Sequence, residues 1–419
     1  MSSRRNRGPG GFTLVELLVA MLVAVIVVGA ALALLRGQQR AFFASAQDRA
    51  EQETGRLALG DMLQNLRLAG YGLDPTMAFD FGQATTVMDR APTGPGVPAV
   101  VFGGDAAGVT GFACAAPVQC RDSVNGPDEL AFQYRSPYFN RPLVAVPDLD
   151  TLVIQGPLNQ PLFDGQVLQV ACLQGAMTWA YVQVGGFVPA SPVLGVVRIP
   201  LRGGQGLDFP RQNQALGDAC FLANAQVMKV ERFRYFIDTY QEDGQRVPWA
   251  TPGARPYLML DRGLRDQAGN AVTDVVAPDI EDLQVGYVFP LSLPGTQLVG
   301  EESGVQLANN TGDGKGIELA PPGGIPTYQT ARLSAIRSSH HPANVRAVRV
   351  AVLVRGPTPD AQQTDPTLPA VGNRPALAGE PLYRRSAFQT SVAIPNMESR
   401  APIFPSLGTG ADQLNVGGG

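Results

Sequence analysis

From Phe12 to Leu35 the chain is apolar at almost every position, with one carboxylate, Glu16, near the start of the run. As a helix the run would rise roughly 36 Å, enough to cross a hydrocarbon core of about 30 Å. Past Arg36 the pattern changes but stays helical. Phe42, Ala46 and Ala50 recur every four residues, and Leu59, Met62, Leu63 and Leu66 every three or four, which predicts one apolar face with polar residues opposite. Gly55 and Gly60 each weaken this helix by about 1 kcal/mol relative to alanine, and Gly70 with Gly72 supplies a stop. The reading is a single long helix, membrane-spanning over 12–35 and amphipathic over 36–70.

Beyond residue 71 the period falls to two. In ELAFQYRS, Leu130, Phe132 and Tyr134 point one way and Glu129, Gln133 and Arg135 the other; in VERFRYFID, Phe233, Tyr235 and Ile237 oppose Arg232 and Arg234. DLQVGYVF carries Leu283, Val285, Tyr287 and Phe289 on one face, and VRAVRVAVLVRG carries Val348, Val350, Val352 and Val354. TLVIQG, QVLQVACL, WAYVQV, VLGVVRIP and SAFQTSVAI are further strand candidates, and Asp243-Gly244 is a turn signal. Strands that follow one helix without alternating with others predict an α+β fold with a largely antiparallel sheet. Gly (48) and Pro (35) are abundant, so many turns and loops are expected, with a long loop or insertion at about 291–344 and a flexible tail over 396–419.

Charge and cysteine content narrow the function. A pI near 5.4 and no basic run beyond Arg4, Arg5 and Arg7 argue against nucleic acid as a partner. Those three arginines precede the apolar run and place its start in the cytoplasm and the remaining chain outside. Cys114, Cys120, Cys172 and Cys220 would then lie where disulfides persist. Of the three connectivities open to four cysteines, Cys114 with Cys120 would close the loop CAAPVQC, and Cys172 with Cys220 would tie two β segments. There is no C-x-x-C pair, and the two histidines, His340 and His341, are adjacent, so no metal centre and no cofactor are expected. NNTGDGKGIE fails as a calcium loop because its terminal acid position falls on Ala320. GDGKG lacks the Ser or Thr of a phosphate-binding loop. The acid pairs Glu281-Asp282 and Glu301-Glu302 read as wet strand ends and loops, and no G-x-S-x-G elbow is present. An enzyme is not expected.

The N-terminus admits a signal peptide ending at Ala31-Leu32-Ala33, a plain anchor in which Glu16 snorkels to the interface, or a third reading that its residues favour. Gly11, Phe12 and Glu16, in the order G-FTLVE behind a short basic segment, resemble the start of type IV prepilins. That resemblance implies a leader of residues 1–11, cleavage between Gly11 and Phe12 by a prepilin peptidase, methylation of the new Phe12 amine, and pairing of Glu16 with the N-terminal ammonium of a neighbouring subunit. Loss of the leader arginines would move the formal charge from −4 to −7. Further on, NGPDELAFQYRS, KVERFRYFIDT, YLMLDR, VVAPDIEDLQVGYVF, VRAVRVAVLVRG and RRSAFQTSVAIPN resemble, in that order, the PilW-type minor pilins. The implied fold is pilin-like: a long N-terminal helix on an exported β-rich domain over 71–395. The implied role is initiating or capping a type IV pilus alongside other pilins, after a stage in the inner membrane. A type II secretion pseudopilin, or an adhesin or sensor binding through 291–344, would share the same N-terminus.

Overall fold

One helix, α1 (Leu14–Leu66), opens the computed structural model of the protein. The residues described are 13–73, 78–80, 127–148, 150–172, 178–201, 225–249, 251–288, 305–307, 345–360 and most of 363–398. The chain divides into two units, residues 1–50 and residues 51–419. In the first, the apolar side chains of the helix are exposed all round, from Leu14 through Val19 and Val25 to Leu34. In the second, α1 buries Glu51, Gly55, Ala58, Met62 and Leu66 as one stripe at spacings of three and four. The amphipathic reading started this packed face too early: Phe42 and Ala46 are exposed. A four-residue apolar repeat marks a helix face but does not supply the surface that covers it.

Sixteen strands are described. They are β1 (Phe79–Asp80), β2 (Leu130–Asp148), β3 (Thr151–Gln155), β4 (Val167–Cys172), β5 (Thr178–Gln183), β6 (Val196–Pro200), β7 (Ala225–Tyr240) and β8 (Arg246–Val247). There follow β9 (Arg255–Arg265), β10 (Ala271–Pro278), β11 (Ile280–Val288), β12 (Val305–Leu307), β13 (Ala347–Arg355), β14 (Thr367–Leu368), β15 (Leu377–Ala378) and β16 (Arg385–Ala393), then a short helix, α2 (Pro395–Glu398). The strand pairings are antiparallel, in a ten-stranded sheet, a four-stranded sheet ordered β12-β11-β13-β16 and the pair β14-β15. This is the α+β class that the change of period predicts.

The central pair is β2 with β7, and its register breaks once. Arg135 faces Val230 but Asn140 faces Met228, so residues 136–139 stand opposite the single residue Lys229. That excess kinks the pair and divides the sheet between two cores. Before the kink, Leu130, Phe132 and Tyr134 of β2, Phe233, Tyr235 and Ile237 of β7, and Leu258 and Leu260 of β9 pack with Ala58, Met62 and Leu66 of α1. Leu283 and Val285 of β11 and Val348, Val350, Val352 and Val354 of β13 complete this core, the alternation read from the sequence. Gly70 and Gly72, with φ of 73° and 66°, turn the chain after α1. Gly70 N–H donates to the Gln133 carbonyl (2.8 Å) and Arg135 N–H to the Tyr71 carbonyl (2.8 Å).

Beyond the kink, β2, β3, β6, β5, β4 and β7 form a closed ring. β2 pairs with β3, β3 with β6, β4 with β5, and β4 with the first half of β7. The bridge Val184–Leu201, with Gly185 N–H on the Pro200 carbonyl at 2.8 Å, joins β5 to β6. Leu152, Ile154, Leu158, Leu168, Val170, Val182, Val197, Ile199 and Val227 fill it. The sequence reading treated 71–395 as one β-rich domain and looked for additional mass at 291–344; within the described residues the second core lies at 139–227. Of the 291–344 stretch, only β12 is among the described residues.

Two other expectations change. Glu281 and Asp282 are buried in β11, and Arg385 grips the Glu281 carboxylate at 2.7 and 3.1 Å. Adjacent acids look wet in sequence, but here an arginine on a strand a hundred residues away satisfies one of them. Residues 396–398, expected within a flexible tail, are instead tied to the fold: Met397 is fully buried and the Asn396 amide donates to the Arg67 carbonyl at 3.2 Å; the rest of 396–419 lies outside the described residues.

Candidate assembly site

The one acid of the apolar run closes the first turn of α1. Thr13 N–H and Thr13 Oγ1 each donate to Glu16 Oε2 at 3.1 Å, and Glu16 N–H donates to Thr13 Oγ1 at 3.3 Å. This is a capping box, in which residues three apart satisfy two otherwise orphaned helix donors. The T-x-x-E spacing is the sequence signal of this cap. Glu16 is exposed, so its carboxylate has one side engaged by its own helix and the other open. Gly11 and Phe12 lie outside the described residues.

The helix residues next in the chain after the exposed stretch are fastened to the sheet by polar as well as apolar contacts. Tyr235, fully buried, donates its hydroxyl proton to Asp61 Oδ2 at 2.7 Å and accepts from Asn65 Nδ2 at 2.9 Å. Burial, then the Asp61 carboxylate, pushes the Tyr235 phenol far above its usual range. The Ser386 hydroxyl donates to Glu51. Gly55 touches the ring of Phe388 so closely that a Cβ there would come within 2.7 Å of Cδ2. The glycine that costs helix propensity is thus what admits the β16 side chain. These partners lie more than a hundred residues apart in the chain, so no sequence spacing could reveal them.

Asp279, between β10 and β11, has φ of 58° and passes the chain from the larger sheet to the smaller. Arg255 holds its carboxylate at 2.8 and 2.7 Å, and its carbonyl accepts Arg355 N–H at 2.9 Å. Cys172 is fully buried at the end of β4 and is disulfide-bonded. It lies opposite Ala225, five residues after Cys220 in the chain. Cys114, Cys120 and Cys220 lie outside the described residues.

The model of the prokaryotic N-terminal methylation motif matches residues 6–32, and that of the type IV pilus-assembly protein W family matches residues 234–396. Comparison with curated proteins and with solved structures gives no match. A membrane-length apolar helix under a methylation motif, continuing into an antiparallel β domain, defines a pilin-like protein that is anchored in the inner membrane and later joins the pilus. Within that class the chain is similar, over those two stretches, to the PilW-type, prepilin-like proteins. The family match runs from the second half of β7 through β16; it takes in the β9, β11 and β13 residues of the helix-packed core but not those of β1 and β2, and it leaves the closed ring outside it.

Proposed function

We propose that the protein is a minor pilin, cut between Gly11 and Phe12 and methylated on Phe12, that takes part in initiating or capping a type IV pilus. The observation that carries this reading is the exposed apolar helix with one carboxylate at its first turn. Lipid already satisfies the apolar side chains, so leaving the bilayer is tolerable only where neighbouring helices replace the lipid by close packing. A carboxylate in such surroundings is costly unless paired. The capping box supplies neutral donors, and an ammonium from an adjacent chain would supply the opposite charge. Glu16 thereby favours one axial step of insertion over its neighbours. The paired cysteines, Cys172 with Cys220 and Cys114 with Cys120, would secure the exported domain.

The test is intact-mass and N-terminal peptide mass spectrometry on protein from cells with and without prepilin peptidase. A chain beginning at methylated Phe12 only when the peptidase is present is the expected result. A start near Leu34, or an uncut chain in both strains, would overturn it. Glu16→Ala should leave cleavage intact and lower the amount recovered in sheared pili by roughly tenfold, equivalent to about 1.4 kcal/mol of lost pairing.

A further inference from the structure

The exposed strand edges of this fold are not treated alike. β10 borders the ten-stranded sheet with register shifts at Ala271/Thr273 and Val275/Ala277, a mid-strand Asp274 and a terminal Pro278. Bulges, charge and proline are the devices that keep an edge from recruiting another strand. β6 is closed by the bridge to Val184, and β12 is three residues long. β16 has none of these protections: nine residues pair with β13 in unbroken register, and after Arg385 there is neither charge nor proline in the strand.

The register also says which backbone groups face outward. Ile394 N–H donates to the Arg346 carbonyl and Gly356 N–H to the Arg384 carbonyl, both at 2.8 Å. Even-numbered residues of β16 therefore bond to β13, and the N–H and C=O groups of Ala387, Gln389, Ser391 and Ala393 face away from it. These four residues are exposed and carry small or uncharged side chains, which lets another backbone approach.

We propose that the outer edge of β16 pairs with a β-strand of a different pilin-type subunit in the same assembly, adding that strand to the four-stranded sheet. This rests on the assembly reading above. It is favoured by where β16 sits: Ser386 meets Glu51, Phe388 meets Gly55 and Asn396 meets Arg67, so the strand runs alongside α1 in the same sense, from the first helix residues of the domain. Two copies joined antiparallel across this edge by a twofold axis would carry their helices in opposite directions, which chains anchored by their N-termini in one membrane cannot do. The protected β10 edge likewise offers a second copy no strand to donate.

The full-length protein in piliated cells provides the test. Gln389→Pro removes an outward N–H without touching the β13 ladder, a position where an edge strand accepts proline. It should leave cleavage and membrane level unchanged while lowering recovery in sheared pili by roughly tenfold, equivalent to about 1.4 kcal/mol. Ser391→Lys, which fills the edge with charge, should do the same. A photo-crosslinking residue placed at 389 should join the chain to another pilin-type subunit. A crosslink to a second copy, or to a chain without a pilin helix, would overturn the proposal. So would wild-type recovery of both variants while Glu16→Ala is lost, which leaves the assembly reading standing. Wild-type recovery of all three would overturn the assembly reading itself.

Discussion

The helix-packed sheet and the closed ring share two strands yet are stabilised differently. In the first, α1 packs on a core drawn from two sheets, β2, β7 and β9 of the larger and β11 and β13 of the smaller, sequence-distant strands that meet only in the fold. In the second, among the described residues, the sheet curls until β5 meets β6 and covers its own apolar face without a helix. The kink at residues 136–139 marks the boundary. A sheet can therefore satisfy its apolar side with a helix or by closure, and this chain does both along the same pair of strands.

The largest test of that division is to remove the ring. Arg135 N–H turns away from β7 to Tyr71, which makes Tyr134 and Glu231 the hydrogen-bonded pair next to the kink, so replacing residues 135–230 by Asn-Gly should give a tight hairpin. We expect the remaining domain to keep its helix-packed sheet, read by circular dichroism and hydrogen exchange; loss of protection in β11 and β13 would make the two regions one cooperative unit. Next come single core truncations. Phe132→Ala should cost about 3–5 kcal/mol and Ile154→Ala about 2–5 kcal/mol. Hydrogen exchange should localise the first loss to strands facing α1 and the second to residues 151–200.

A smaller effect separates the two helix glycines. Gly60 has open space beyond its Cα, so Gly60→Ala should stabilise by about 0.5–1 kcal/mol, whereas Gly55→Ala forces the Phe388 ring aside and should destabilise despite its better helix propensity. Equal shifts in melting temperature would refute the close packing of α1 on β16. The smallest effect concerns Tyr134, at the junction just before the kink. Burial, with the Glu231 charge adding, pushes its phenol up to about 12. Because the folded value is raised, its contribution is fully present below the ordinary phenol range near pH 10 and is lost as pH rises through about 12. Melting curves across that window should fall more steeply for the native chain than for Tyr134→Phe.

Much of this was legible beforehand, for a local reason. Period-two alternation in ELAFQYRS and VERFRYFID recorded which side chains are buried, and the apolar run with Glu16 recorded a membrane helix with an acid at a defined step. The Thr13 cap is equally local, since T-x-x-E spacing alone specifies its bonds to Glu16. The burial of Glu281 was not readable, since its partner Arg385 lies 104 residues away.

The amino-acid sequence alone determined the helix, the face each strand buries, the antiparallel α+β class and the motif for export and methylation, because all of these are written in residues a few positions apart. Only the tertiary structure decided where the helix begins to pack, that β2 and β7 serve two cores, that one sheet closes through Val184 and Leu201, and that β16 is left as an unprotected edge. Those outcomes depend on pairings between distant segments, and a hydrophobic period specifies that a face must be covered without specifying by what.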